Sequence, residues 1–204
     1  PVPPSPPPTM SASTSDAPYS KNEFASIRAD LNSSSNTRRS DALKAVITKM
    51  TLGADVSSLF TPVLSCMQTD KLEIKKLVYL YLITSAQRNP DLAILAVNTF
   101  VRDATPGFGT TPLLRALALR TMASIPVEAV ADYLCDPLRR ALTDSDNYVR
   151  KTAALCVPKL FATKPAHVID EGMIELLQNL AMDDSAMVVS NAVMAMADIE
   201  TQIA

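Results

Sequence analysis

The 204 residues are enough for one domain with a buried core, and 48% hydrophobic against 20% charged residues describes a globular chain. Nineteen Lys and Arg against 21 Asp and Glu leave a formal charge of −2, without the basic excess of a dedicated nucleic-acid binder. Four Gly, no Trp and one His speak against a turn-rich β fold and a His/Cys metal site. Three Cys without paired spacing, and no signal-like start, point to a reducing compartment.

Residues 1–18 hold Pro1, Pro3, Pro4, Pro6, Pro7, Pro8 and Pro18 among Ser, Thr and Ala, which predicts a disordered or polyproline-like tail. Pro-x-x-Pro spacing within Pro3 to Pro8 also suits a ligand of an SH3-type domain. From residue 19 the chain reads as one helical domain. Apolar spacing predicts helices over 20–32, 37–51, 56–67, 71–87, 90–103, 111–124, 127–143, 146–162, 168–181 and 185–202. Gly53, Asn89-Pro90 and Thr105-Pro106-Gly107-Phe108-Gly109 interrupt the pattern, and Asp70, Ser145 and Asp184 stand where N-caps are expected. No apolar run reaches the ~18 residues of a membrane span.

Along this chain, chemistry is scarce. Cys66, Cys135 and Cys156 lie in apolar helical context and read as small core residues. Gly107-Phe108-Gly109-Thr110-Thr111 is half of a phosphate loop, without its Lys and after a helix, so a helix connection fits better. Asp144-Ser145-Asp146-Asn147 and Asp183-Asp184 lack the twelve-residue continuation of a calcium loop and suit helix capping. His167 sits in a predicted loop with no nucleophile motif beside it, and no catalytic constellation or cofactor motif emerges.

Two features suit partners. In the helix 90–103, Leu92, Leu95 and Phe100 fall to one side while Ile94, Val97 and Val101 form a second stripe; such a helix is buried between repeats or covered by another protein. Lys21, Arg28, Arg38, Arg39, Lys44 and Lys49 make the first helix pair basic, suited either to anionic headgroups or to an ordinary solvated face.

Register supplies the architecture. Ile74-Lys75-Lys76-Leu77, Leu114-Arg115-Ala116-Leu117, Val149-Arg150-Lys151-Thr152 and Val188-Val189-Ser190-Asn191 align at steps of 40, 35 and 39 residues, and three of the four place a cation after the first aliphatic residue. Arg38-Arg39 extends the series 36 residues upstream, and Pro62 and Pro137 share the 75-residue offset of Ile74 and Val149, which predicts equivalent kinks. A period near 40 with two helices per unit predicts an all-α solenoid of HEAT/armadillo-like pairs, about ten helices in all.

Several long strings resemble the β-adaptin large chain of heterotetrameric clathrin adaptor complexes. They include Asp55-Val56-Ser57-Ser58-Leu59-Phe60, Leu77-Val78-Tyr79-Leu80-Tyr81-Leu82, Asp91 through Phe100, Tyr133-Leu134-Cys135-Asp136-Pro137 and Tyr148-Val149-Arg150-Lys151-Thr152-Ala153-Ala154. The similarity runs from about Lys21 to Ala204 and suits the trans-Golgi/endosomal and plasma-membrane types alike. It implies that residues 19–204 are the N-terminal part of a trunk solenoid, a non-catalytic scaffold in vesicle transport that assembles with a second large chain, a medium chain and a small chain. It also implies docking on Golgi, endosomal or coated-pit membranes through an Arf-type GTPase, touching Ile94 and Val97, and through phosphoinositide at Arg38, Arg39 and Lys44. Clathrin binds the family's hinge, downstream of this trunk, which implies a longer chain. A stand-alone membrane-surface or protein-interaction module outside the adaptors is the alternative. Two departures stand out: Ser33-Ser34-Ser35-Asn36-Thr37 replaces a lysine-rich run, and Pro158 falls inside a predicted helix, which should kink or stop near Val157.

Overall fold

A computed structural model describes residues 21–204, except positions 87, 89, 108 and 126 and the side chains of residues 21 and 92. The proline-rich stretch 1–18 lies outside the described residues. Every regular element among those described is helical: α1 (Lys21–Leu31), α2 (Asn36–Thr51), a 3₁₀ turn (Ser57–Leu59) running into α3 (Phe60–Ser65), α4 (Leu72–Ala86), α5 (Pro90–Ile94), α6 (Val97–Ala104), α7 (Pro112–Ala123), α8 (Glu128–Ala141), α9 (Asn147–Thr163), α10 (Pro165–Asp170), α11 (Met173–Leu180) and α12 (Ala186–Ile203).

These make five helical hairpins: α1–α2, α3–α4, α5/α6–α7, α8–α9 and α10/α11–α12. The second helices, α2, α4, α7, α9 and α12, pack each against the next as one layer, and the first helices form the other. Leu43, Leu59, Tyr79, Leu119, Leu138 and Val157 are fully buried between the layers. A single hairpin could cover only one of its apolar faces, so the stack is the folding unit.

Local sequence explains where helices start. The Ser35 hydroxyl accepts from the Arg38 amide at 3.5 Å, Thr111 accepts from the Leu114 amide at 3.3 Å ahead of Pro112, and the Asp146 carboxylate accepts from the Tyr148 amide at 2.8 Å. The caps expected at Ser145 and Asp184 are each displaced by one residue, to Asp146 and Ser185. Asp70 stands two residues before α4.

Three expectations about helix continuity are corrected. The helix expected over 168–181 divides at Gly172, whose φ of +66° is the left-handed backbone that glycine tolerates. The prolines Pro62 and Pro137 are not equivalent: a 3₁₀ turn replaces the start of the expected helix 56–67, leaving Pro62 in the first turn of α3 while Pro137 lies deep in α8. Finally, α9 continues past Pro158 to Thr163; that proline is buried, and Gln202 of α12 donates to its carbonyl at 3.3 Å.

Ion pairs staple successive hairpins, the first two buried and the third half-buried. Lys75 Nζ and Tyr79 OH of α4 both donate to Asp103 Oδ2 of α6. Arg115 of α7 forks onto Asp144 at 2.9 and 2.8 Å, and Arg150 of α9 onto Asp183 at 2.7 and 2.9 Å. Each cation is the one that follows the repeated aliphatic residue. Arg150 also donates to the Asp144 carbonyl at 2.9 Å, tying the last two staples together. In α12 Val189 takes the cation's place.

Candidate docking site at a helix break

The helix expected over 90–103 is two helices, α5 and α6, separated by Leu95 and Ala96. Pro90 can open α5 because its missing amide hydrogen has no helical partner there. At the break the Ala96 amide donates to the Ala93 carbonyl at 3.1 Å, a tight turn, and the Ala96 carbonyl then accepts from the Phe100 amide at 3.1 Å as α6 begins. Buried side chains dictate this path. Ala93, Ala96, Val97, Phe100 and Ala104 all turn inward, with Phe100 edge-on to Tyr79 at 4.8 Å between ring centres.

The break rotates what the surface sees. Ile94 is 40% exposed and Leu95 61%, whereas Val97 is 2% exposed. Val97 is therefore not part of an exposed stripe, a correction to the sequence reading; it supports the turn from beneath. Leu95, which the continuous-helix reading placed beside Phe100, is instead the most prominent apolar side chain at this corner. Asp91 and Asn98 are also exposed here, so the two aliphatic residues sit in a polar frame.

At the other end of α6 from this corner lies the first staple. Asp103 holds Lys75 and Tyr79, and Arg102 Nε approaches its Oδ1 at 3.6 Å. Burial and the adjacent Asp103 carboxylate push the Tyr79 phenol well above its ordinary range, so it stays protonated and donating. The backbone of α6 is thus fixed against α4 by a charged, fully hydrogen-bonded cluster.

The second sequence-derived site does not assemble as a patch. Arg38 and Lys44 are exposed, but they lie about 120° apart around α2, and Arg39 and Lys44 about 140° apart. Lys44 is engaged by Asp41 at 3.3 Å. Arg39 turns toward the core side, where its Nη2 donates to Asn36 at 2.7 Å and its Nε is buried without a hydrogen bond. Lys49 is buried against Glu23, and Arg28 donates to the Ser58 carbonyl at 3.0 Å.

The remaining candidates resolve as structure. Cys66, Cys135 and Cys156 are free and buried, and burial pushes the Cys156 thiol up to about 12. Thr110 closes the Gly107–Gly109 turn by accepting from the Gly107 amide at 2.9 Å. Asp144 and Asp183 are staple carboxylates. His167 lies exposed on α10 rather than in a loop. Among the described residues no cluster of three His, Cys, Asp or Glu could hold a metal, and no helix is long and apolar enough to cross a membrane. The staples were half visible in the sequence: the repeated cation could be read, but Asp144 and Asp183 looked like caps and Asp103 carried no signal.

Comparison with known proteins places this geometry. The adaptin N terminal region matches residues 16–204. AP-1 complex subunit beta-1 of Mus musculus is 51% identical over 179 residues, covering 88% of this chain and 19% of the relative. AP-1 complex subunit beta of Dictyostelium discoideum is 49% identical over 180 residues, and AP-2 complex subunit beta of Schizosaccharomyces pombe is 37% identical over 188 residues, covering 27% of its length. The chain therefore spans about a fifth of the length of the AP-1 relatives. Among structures, a homology model of the full-length AP-3 complex in an intermediate open conformation matches with a TM-score of 0.67 at 26% identity, over 84% of this chain and 28% of that one. A designed armadillo repeat protein matches at 0.61 and 15% identity over 87% of this chain and 82% of its own, a likeness of fold alone.

Proposed function

The chain belongs to the adaptin N-terminal family, and from that premise we propose that it is the N-terminal trunk region of a β-adaptin, a non-catalytic scaffold for vesicle coats. Its partners are a second large chain, a medium chain and a small chain, with clathrin engaged by a hinge elsewhere in the full protein. It works at the cytoplasmic face of Golgi, endosomal or coated-pit membranes, to which it is recruited by an Arf-type GTPase. The observation that carries this reading is the corner at Leu95-Ala96: exposed Ile94 and Leu95 stand at the head of α6, a helix that Phe100 and Asp103 anchor on α4. A docking surface gains from such rigidity, because little ordering entropy is left to lose on binding.

Binding of the purified chain to an Arf-type GTPase, loaded with GTP or GDP, tests the reading. GTP-dependent binding is expected, with Ile94→Asp or Leu95→Asp weakening it about tenfold or more, the scale of a central apolar contact. Val97→Asp is not a surface test, since a carboxylate there would be buried. Equal binding in both nucleotide states, or no loss in folded Ile94→Asp, would overturn the assignment.

A phosphoinositide contact at the first hairpin is a second element of the proposal, and it rests on Arg38, which is exposed and has no ion pair among the described residues. Lys44 contributes from another face of α2, and Arg39 adds little from its inward position. Sedimentation with phosphoinositide vesicles at low and high salt measures it. Binding should be weak, salt-sensitive and reduced by Arg38→Glu.

A further inference from the structure

The exposed face formed by α4, α7, α9 and α12 carries a pattern that neither GTPase nor headgroup docking uses. Because α4, α7, α9 and α12 run side by side in a common register, equivalent positions form rows. One row, just before the repeated aliphatic residue, is Glu73, Leu113, Tyr148 and Met187; the other, seven residues on, is Leu80, Arg120, Leu155 and Met194. Leu113 is 53% exposed, Leu80 48%, Met187 45% and Met194 59%. Leu80, Leu113 and Leu155 belong to interior hairpins, so their exposure does not come from a missing neighbour at the end of the stack.

Cations stand within and beside these rows: Arg120 in the second, Lys76 and Lys151 between the two, and Lys159 one turn beyond Leu155. Lys76, Arg120, Lys151 and Lys159 have no ion pair among the described residues, whereas in the first-helix layer Arg139 and Arg140 hold Asp136. Arg120 Nη2 donates to the Tyr148 hydroxyl at 3.3 Å, and Lys151 Nζ lies 4.9 Å from the centre of the Tyr148 ring. The two cations therefore hold one aromatic side chain in place at the centre of the face. The carboxylates on this face, Glu73 and Asp198, stand at opposite corners.

We propose that this face binds an acidic amphipathic helix of a partner protein, laid across α7, α9 and α12 with its apolar side on Leu113, Leu155, Met187 and Met194 and its carboxylates on Arg120, Lys151 and Lys159. Dimensions and charge both select that occupant. Rows seven residues apart are separated by about 10 Å along the helices, close to the width of one α-helix. A membrane surface would favour a broad apolar area with cations at its rim, but here the cations Arg120 and Lys151 stand among the apolar side chains. A chain of net charge −2 that concentrates unpaired cations on one face attracts acidic partners to that face.

A synthetic amphipathic helix of about four turns, with leucine on one side and glutamate along both margins, is the probe, and its lysine-margined isomer the control. Fluorescence anisotropy should show the acidic peptide binding the intact chain and the basic one not. Leu155→Asp and Met194→Asp should each weaken binding about tenfold or more, the effect of truncating a central contact. The surface change Arg120→Glu with Lys151→Glu, which threatens the fold less, should reverse the preference between the peptides. Binding of neither peptide, equal binding of both, or full binding by the folded charge-reversed variant would overturn the proposal. So would a concentration-dependent dimer lost in Met194→Asp, which makes the occupant a second copy. Sedimentation with phosphatidylserine-rich vesicles that the same variants abolish would make it a lipid surface instead.

Discussion

The last two staples and the first hairpin place the same residue type in the same register with opposite results. Arg115 and Arg150 each meet a carboxylate delivered by the following hairpin, and Asp144 even lends its backbone carbonyl to Arg150. Arg39 stands 36 residues before Lys75, in line with those cations, yet Asp70, the acid nearest the corresponding place, is exposed and forms no ion pair with it. A repeat thus inherits its cation by register but gains stability from it only where the next turn supplies the acid. Without that acid the cation is a partly desolvated charge.

The largest expected effect lies at the closed end of this comparison. Asp144→Ala should destabilise the chain by about 3–5 kcal/mol, because it strands Arg115 in a site where both side chains are almost fully buried. Urea unfolding measures the loss. Replacing both partners by Met and Leu should restore most of it, since a buried pair roughly breaks even against apolar residues of similar size. If the single change costs no more than a surface substitution, the staples are not what ties the hairpins together.

The next effect sharpens the contrast between an arginine staple and the lysine one. Asp103→Asn keeps the acceptor shape but leaves Lys75 without a counter-charge, and about 1.5–3 kcal/mol should be lost, the scale of a hydrogen bond to a charged group. Here the readout includes the proposed function: α6 should loosen, and the GTPase binding proposed for the Ile94–Leu95 corner should weaken although no residue of the corner is changed. Affinity unchanged at that loss of stability would separate the corner from its support.

These sites also mark how far the sequence could be read. Helix identity, pairing and the cation half of each staple follow from apolar spacing and a period near 40. The aspartates did not, because Asp144 and Asp183 stand before helices and resemble caps; Asp183 instead closes a turn ahead of the α12 cap, accepting from the Ser185 amide at 2.9 Å. The corner was misread because a single helical wheel was carried through Leu95-Ala96, an apolar run with no Gly or Pro to announce a break. Gly172 did announce one, inside a stretch whose periodicity concealed it.

Acid titration probes the outermost staple. The Arg150 guanidinium, and then the Ser185 amide, hold the Asp183 carboxyl below its usual range. A carboxyl depressed in the folded state contributes stability that is fully present above its unfolded value near ~4 and is lost as pH falls through the folded one. Arg150→Met should therefore flatten the acid limb of stability below about pH 4, while leaving the slope at neutral pH unchanged. An unaltered acid limb would mean that Asp183 draws nothing from its partner.

The smallest effect belongs to the open rung, and its sign is what matters. Arg39 holds one hydrogen bond, to Asn36, and buries Nε with none. Leucine at this position would remove a desolvated polar atom at the expense of one local contact, so Arg39→Leu should be neutral or stabilising by up to about 1 kcal/mol. The same change should leave the proposed phosphoinositide vesicle binding nearly intact, because this half-buried guanidinium is tied to Asn36, whereas Arg38→Glu should reduce it. If Arg39→Leu instead destabilises as Asp144→Ala does, then Arg39 finds a carboxylate in solution, and the first hairpin is stapled like the others.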